Sequence, residues 1–253
     1  MQMTQLIRNL GRSDAKLLRR DRFPLFMFGF VIYIVVALRL LLPWANGYLT
    51  ENGILPNETI ALSLSDFYPM LVAYMAIFTG ALMVGTVIGF MLLDEKDHQT
   101  LHAMLVTPVS LDQYVLYRVG LPVVMAFVII VGMVLGIGQA LVPWWQLLLI
   151  AAGGALTAPI TTLFYATFAE NKVQGFAYAK FTGVAGWIIM LGWFVPPPYQ
   201  WLFGLFPPFW IAKAYWMAFA GQPLWWLALI VGIVLQLALI RWLMSLFNKA
   251  AYR

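Results

Sequence analysis

Asp94, His98 and His102 stand at successive i, i+4 positions within LLDEKDHQTLHAMLVTPVSLDQYVLYR, residues 92–118, a stretch that holds both histidines of the chain. Two imidazoles and a carboxylate on one exposed helical turn match a possible zinc geometry. A metal there would need hydrogen-bonding groups to orient the imidazoles, and the surrounding sequence offers none. The alternative is that these residues form the polar face of a short helix whose apolar face, Leu101, Met104 and Leu105 at i, i+3, i+4, makes the contact. That docking reading is preferred, and no metal is expected.

Elsewhere the usual catalytic sets are missing. The chain has no cysteine, which excludes disulfides, thiolate metal sites and thiol nucleophiles. Neither a G-x-x-x-x-G-K-[ST] phosphate loop nor an H-E-x-x-H pair occurs. With its histidines confined to one loop, the chain cannot assemble a Ser/His hydrolase site within its apolar runs. Those runs hold no deep Asp, Glu or His to act as a proton relay, and nothing marks an ion filter. Their polar groups are mild: Gln139, Thr157, Thr161, Thr162, Thr167 and Gln236. No catalytic residue is assigned, and any transport would draw its energy from a partner.

The elements that must hold this loop are membrane helices. The 253 residues are 63% hydrophobic and 10% charged, far from the soluble balance of about 25% charged. Stretches of about 20 apolar residues span a bilayer. They predict an all-α protein of one transmembrane domain, residues 1–253, with spans at 24–42, 67–92, 119–141, 145–168, 181–195 and 224–246. The fifth is short and is stopped by PPPYQ at 196–200, because three prolines cannot continue a helix. The aromatic, proline-broken stretch 196–223 reads as short re-entrant helices in the outer leaflet.

Arg8, Arg12, Lys16, Arg19, Arg20 and Arg22 give residues 1–23 the character of a basic helix lying on the inner membrane surface. A disordered basic tail is the alternative. Of the fifteen Lys and Arg, all but Arg39 and Lys213, thirteen in number, fall on the N-terminal side of the membrane. That asymmetry predicts cytoplasmic termini. Arg39 and Arg241 lie near span ends and are expected to snorkel. The net charge of +5 is thereby accounted for, and no nucleic-acid partner is expected. Gly85/Gly89 and Gly132/Gly136 are GxxxG pairs that fit either packing within one subunit or a dimer seam.

On this topology the segment 93–118 faces the cytoplasm. Pro108 disfavours helix at Thr107, and Ser110 with Gln113 forms a capping box that starts the next helix. Helix, sharp break and capped helix follow one another.

The residues DEKDHQTLHAMLVTPVSLDQYVLYR resemble the signature of type-2 ATP-binding-cassette (ABC) exporter permeases, through Glu95, Thr100, Leu101, Leu105, Thr107, Pro108, Ser110 and Tyr114. Gln99 stands where that family usually has glycine, and His102 where an acid is common. The layout most resembles the small fluoroquinolone-export-type permeases. The resemblance implies the type-2 exporter fold and a coupling helix docking on a separate cytoplasmic ATPase. It assigns that contact to Glu95, Thr100, Leu101, His102, Leu105, Thr107 and Pro108, with Ser110 and Gln113 capping the helix after the break.

The same resemblance implies two ATPase copies, a second permease copy or a sibling permease, and ATP and Mg bound on the partner alone. It places the chain in a bacterial or archaeal cytoplasmic membrane. The expected function is export of an amphipathic or hydrophobic drug-like molecule. A peptide, lipid or glycan cargo, or a non-transporting scaffold or immunity subunit, are the alternatives.

Overall fold

The computed structural model describes Gly11, Asp14, Lys16, Leu18 and residues 21–52, 64–97 and 111–251. Among the described residues every regular element is helical. Helix α1 runs Arg22–Glu51, α2 Leu64–Asp97, α3 Leu111–Ile137 and α4 Trp144–Phe168. Shorter helices α5 (Lys172–Ala185) and α6 (Trp187–Phe194) follow, then a 3-10 stretch Pro197–Leu205, α7 (Pro207–Phe219) and α8 (Trp225–Ala251). Helices α1, α2, α3, α4 and α8 are long and apolar enough to cross a membrane. Where residues 181–195 are expected to span, two helices meet at Gly186. The first helix also runs past residue 42 to Glu51.

Helix α2 is the centre of the bundle. Of its most apolar stretch 94% is buried, against 17% for α1, whose Phe26, Ile32 and Leu40 face outward. Outward apolar side chains are the expected surface of a protein solvated by lipid. The closest seam lies between α2 and α4, where Thr162 Oγ1 donates to the Gly85 carbonyl at 3.0 Å. A Cβ on Gly85 would stand 2.5 Å from the Ala158 oxygen, and one on Gly89 2.8 Å from the Tyr165 ring. This GxxxG pair therefore packs within the subunit. Gly136 meets Val35 of α1, and Gly132 meets nothing within 4 Å.

Several helices are interrupted, and at several of the interruptions a side chain donates to a nearby carbonyl. Without water, freed carbonyls need such partners. Helix α1 has a π-helical turn at Ala37–Leu41 and α2 a longer one at Val72–Phe78; Thr79 Oγ1 donates to the Tyr74 carbonyl at 2.9 Å. Helix α4 breaks at Leu156, and Gln236 Nε2 from α8 reaches the Gly153 carbonyl at 3.1 Å. Gln200 Nε2 donates to the carbonyls of Gly192 and Val195 where α6 ends. Arg39 Nη1 donates to the Gly136 carbonyl at 2.7 Å, so its charged head answers the C-terminus of α3 instead of only reaching for water.

The two ends of the bundle differ. Trp44, Trp144 and Trp201 are exposed at one end, where indoles suit a membrane interface. At the other end α2 finishes, α3 begins and the charged residues collect. Gly85→Ala is expected to cost about 1–3 kcal/mol of stability by overpacking the α2–α4 seam. Gly132→Ala should be neutral or slightly stabilising. Thermal unfolding in detergent compares the two, and equal midpoints would remove Gly85 from the seam.

Candidate functional site

The charged end is built around Arg118 in the first turns of α3. Its side chain is 2% exposed, among the largest fully buried side chains of the protein. No acid lies three or four residues away on its own helix, where Tyr114, Val115, Leu121 and Pro122 stand. The compensating charges come from two other elements. Nη1 donates to Asp14 Oδ2 at 3.0 Å, and Nη2 pairs with Glu95 Oε1 in the last turn of α2. Tyr117 donates its hydroxyl to the same Asp14 oxygen at 2.8 Å. Its ring centroid lies 5.7 Å from the Arg118 guanidinium carbon, a cation–π contact. Asp14 is helical and buried.

The planar guanidinium presents its donors in a fixed fork, so one side chain can bind two carboxylates arriving from different directions. Burying these charges is costly, and the arrangement holds because each is paired. Its mechanical effect is specific. Glu95 and Arg118 lie on either side of residues 98–110, so the ion pair ties the two roots of that segment together. Asp14 then ties both roots to the N-terminal segment.

A second, more exposed set of contacts joins the turn between α4 and α5. Lys172 Nζ lies 2.7 Å from Asp94 Oδ2 and 3.9 Å from Asp21 Oδ2. The Lys172 backbone N–H donates to Asp97 Oδ2 at 3.4 Å, and Lys96 Nζ donates to the Ala169 carbonyl at 2.9 Å. Two helix caps fix the backbone here. Asp21 Oδ1 accepts from the Phe23 N–H at 2.9 Å to start α1, and Asn171 accepts from the Gln174 N–H at 3.0 Å to start α5.

Of the residues singled out from sequence, Glu95 lies in this cluster. Thr100, Leu101, His102, Leu105, Thr107, Pro108 and Ser110, together with His98, lie outside the described residues, and the Gln113 side chain does too. Asp94, the suggested third metal ligand, is paired with Lys172. Among the described residues no three His, Asp or Glu side chains gather as a metal site. Sequence reasoning missed Asp14, Tyr117 and Arg118 as partners. The available signal was an arginine at a span boundary with no local acid, a charge that another element had to answer.

Arg118→Leu would leave two carboxylates buried without their cation, a change expected to cost about 3–5 kcal/mol. Lys172→Ala breaks a pair that is about a third exposed, and should shift stability by no more than about 0.5 kcal/mol. Thermal unfolding of both variants tests the ranking; comparable losses would mean that Arg118 is not the keystone of this end.

Comparison with known proteins bears on what this end is for. Two curated relatives from Mycobacterium tuberculosis are named fluoroquinolones export permease protein MT2760 (strain CDC 1551 / Oshkosh) and Rv2686c (strain ATCC 25618 / H37Rv). Each is 29% identical over 234 residues, covering 91% of this chain and 89% of the relative. No solved structure matches. The family model described as fluoroquinolones export permease protein Rv2686c-like matches residues 14–244, a range that begins at Asp14 and takes in Glu95 and Arg118. The chain belongs to this export-permease family, as a multi-pass membrane protein and a transporter component rather than an enzyme.

Proposed function

We propose that this chain is the membrane subunit of an ATP-driven exporter of the type-2 ABC class, moving amphipathic or hydrophobic drug-like molecules out of the cytoplasm. In this reading α5 and α6 together make one crossing, which brings the spans to six, and the 3-10 stretch with α7 dips into the outer leaflet. Both termini and the 98–110 loop are cytoplasmic, as the distribution of Lys and Arg favours. The membrane is the cytoplasmic membrane of a bacterium or archaeon. Two permease chains, identical or siblings, work with two ATPase subunits that bind the ATP and Mg. The fluoroquinolones in the relatives' names belong to the drug-like class of cargo.

The buried Arg118 cluster carries the proposal. A loop that receives a push from a partner transmits it only if both of its roots are held; otherwise the motion dissipates in local bending. Glu95 and Arg118 supply that hold within the membrane subunit, and Asp14 extends it to the N-terminal segment. Preorganised support of this kind is what a docking element requires. The contact itself is assigned to Glu95, Thr100, Leu101, His102, Leu105, Thr107 and Pro108, with Ser110 and Gln113 restarting the helix. The apolar residues Leu101 and Leu105 anchor it, and the absence of a phosphate loop in this chain leaves the energy source to the partner.

Leu101→Asp combined with Leu105→Asp should leave the protein inserted but abolish its co-purification with the ATPase. Unchanged association would remove the loop from the interface. Cells expressing both subunits should accumulate less of a fluorescent fluoroquinolone than cells whose ATPase carries a dead active site. Equal accumulation would rule out ATP-driven export of that compound class.

A further inference from the structure

A cavity of about 390 Å³ lies among α2, α4, α5, α6, α7 and α8, away from the charged end. We infer that it binds an uncharged aromatic molecule that reaches it from the bilayer. The inference rests on the export reading and deepens it, since an uncharged aromatic molecule is one kind of the hydrophobic drug-like cargo named there.

The first ground is where the backbone is broken. The π-helical segment of α2 ends at Phe78, which lines the cavity. Helix α4 restarts at Thr157, also on the wall. The α5–α6 break at Gly186 lies between the lining residues Ala185 and Ile188. The 3-10 stretch gives way to α7 at Phe206, again on the wall. At membrane depth, irregular backbone is tolerated where it is buried in protein or lines a cavity. Membrane transporters place their sites at such discontinuities, and π-helical turns recur at functional sites. Here the interruptions of four separate elements meet at one space.

The second ground is the chemistry of the wall. It carries no charged side chain, so an ion entering would be stripped of water with nothing to pair it. Its hydroxyls are already engaged. Thr157 donates to Gln236 Oε1 at 2.9 Å, Thr161 to the Thr157 carbonyl at 3.0 Å and Thr182 to the Tyr178 carbonyl at 3.1 Å. A ligand therefore meets oxygen lone pairs but no spare donor, and is held chiefly by shape and ring contacts. The rings are fixed for that purpose. Phe78 packs edge-on to Phe206 with centroids 5.6 Å apart, and a Cβ on Gly186 would fall 2.3 Å from the Phe78 ring. Rigid aromatic walls reward offset or edge contacts with another ring. A flexible acyl chain would give up its own conformational freedom to enter.

Photolabelling with benzophenone, on the purified full chain in lipid nanodiscs without ATPase, reads this site directly. Adducts mapped by mass spectrometry are expected on Ile160, Phe164 and Leu239, saturable and displaced by unlabelled N-phenyl-1-naphthylamine. Ala185→Trp and Ile160→Trp, both half-buried positions on the wall, should each lower the apparent affinity about tenfold or more. Leu135→Trp on an exposed face of α3 should leave it unchanged. Labelling spread evenly over lipid-facing residues, or undiminished in both cavity variants, would overturn the inference. Displacement by palmitate as effective as by the naphthylamine would overturn it too, and mark a lipid pocket. Because no ATPase is present, failure of ATP-driven export and failure of this site give separate readouts.

Discussion

The backbone contact between α2 and α4 is what allows one helix to occupy the centre of this bundle. Lipid offers no hydrophobic drive for helices to associate, so close packing and interhelical hydrogen bonds must supply the cohesion. Gly85 and Gly89 remove the side chains that would hold α4 away, and Thr162 closes the gap with a bond to the Gly85 carbonyl. One turn beyond Gly85, the Tyr165 hydroxyl sits 2.6 Å from Thr182 Oγ1 and 3.4 Å from Thr86 Oγ1, so α5 is drawn onto the same seam. With α2 fixed at the centre, the position of its last turn, and hence of Glu95, is set by the whole bundle.

The charged end converts that fixed position into a link between segments far apart in sequence. Asp14 and Arg118 are 104 residues apart and Glu95 and Arg118 are 23 apart, yet their charges meet in a buried cluster. An ion cluster of this kind is weak as a source of net stability. Its value lies in geometry: the guanidinium fork accepts its carboxylates only in particular directions. The neighbouring Lys172 contacts are more exposed and softer. A rigid inner clamp beside a yielding outer set suits a platform that holds a loop while the surrounding surface adapts to a partner.

Between the two ends, the bundle departs from regular helix where a membrane protein must justify doing so. The breaks in α2, in α4, between α5 and α6 and before α7 open a cavity walled by apolar and aromatic side chains. Side chains such as Gln236, Gln200 and Thr79 satisfy carbonyls near the breaks. In the proposed reading the energy comes from a partner, and the chain needs a space for cargo and a surface that receives motion. The proposed readings assign these to separate regions of one chain.

Much of this was legible in the sequence. Apolar runs of spanning length, the sparse charge and the prolines at 196–198 and 207–208 determine an all-helical membrane protein with broken elements before its last helix, because in lipid the backbone must satisfy itself locally. The reading of 92–118 as helix, break and cap rests on equally local signals, but residues 98–110 lie outside the described residues. The partners of Arg118 could not be read, because an arginine at a span boundary looks the same whether it snorkels or is buried, and its two acids arrive from other elements. The Gly85/Gly89 pair was ambiguous for the same reason: small residues permit close approach without naming the partner. The tertiary structure decided both, because pairing buried charges and filling the space beside a glycine depend on which helices come together. Spacing along one helix records only its own face.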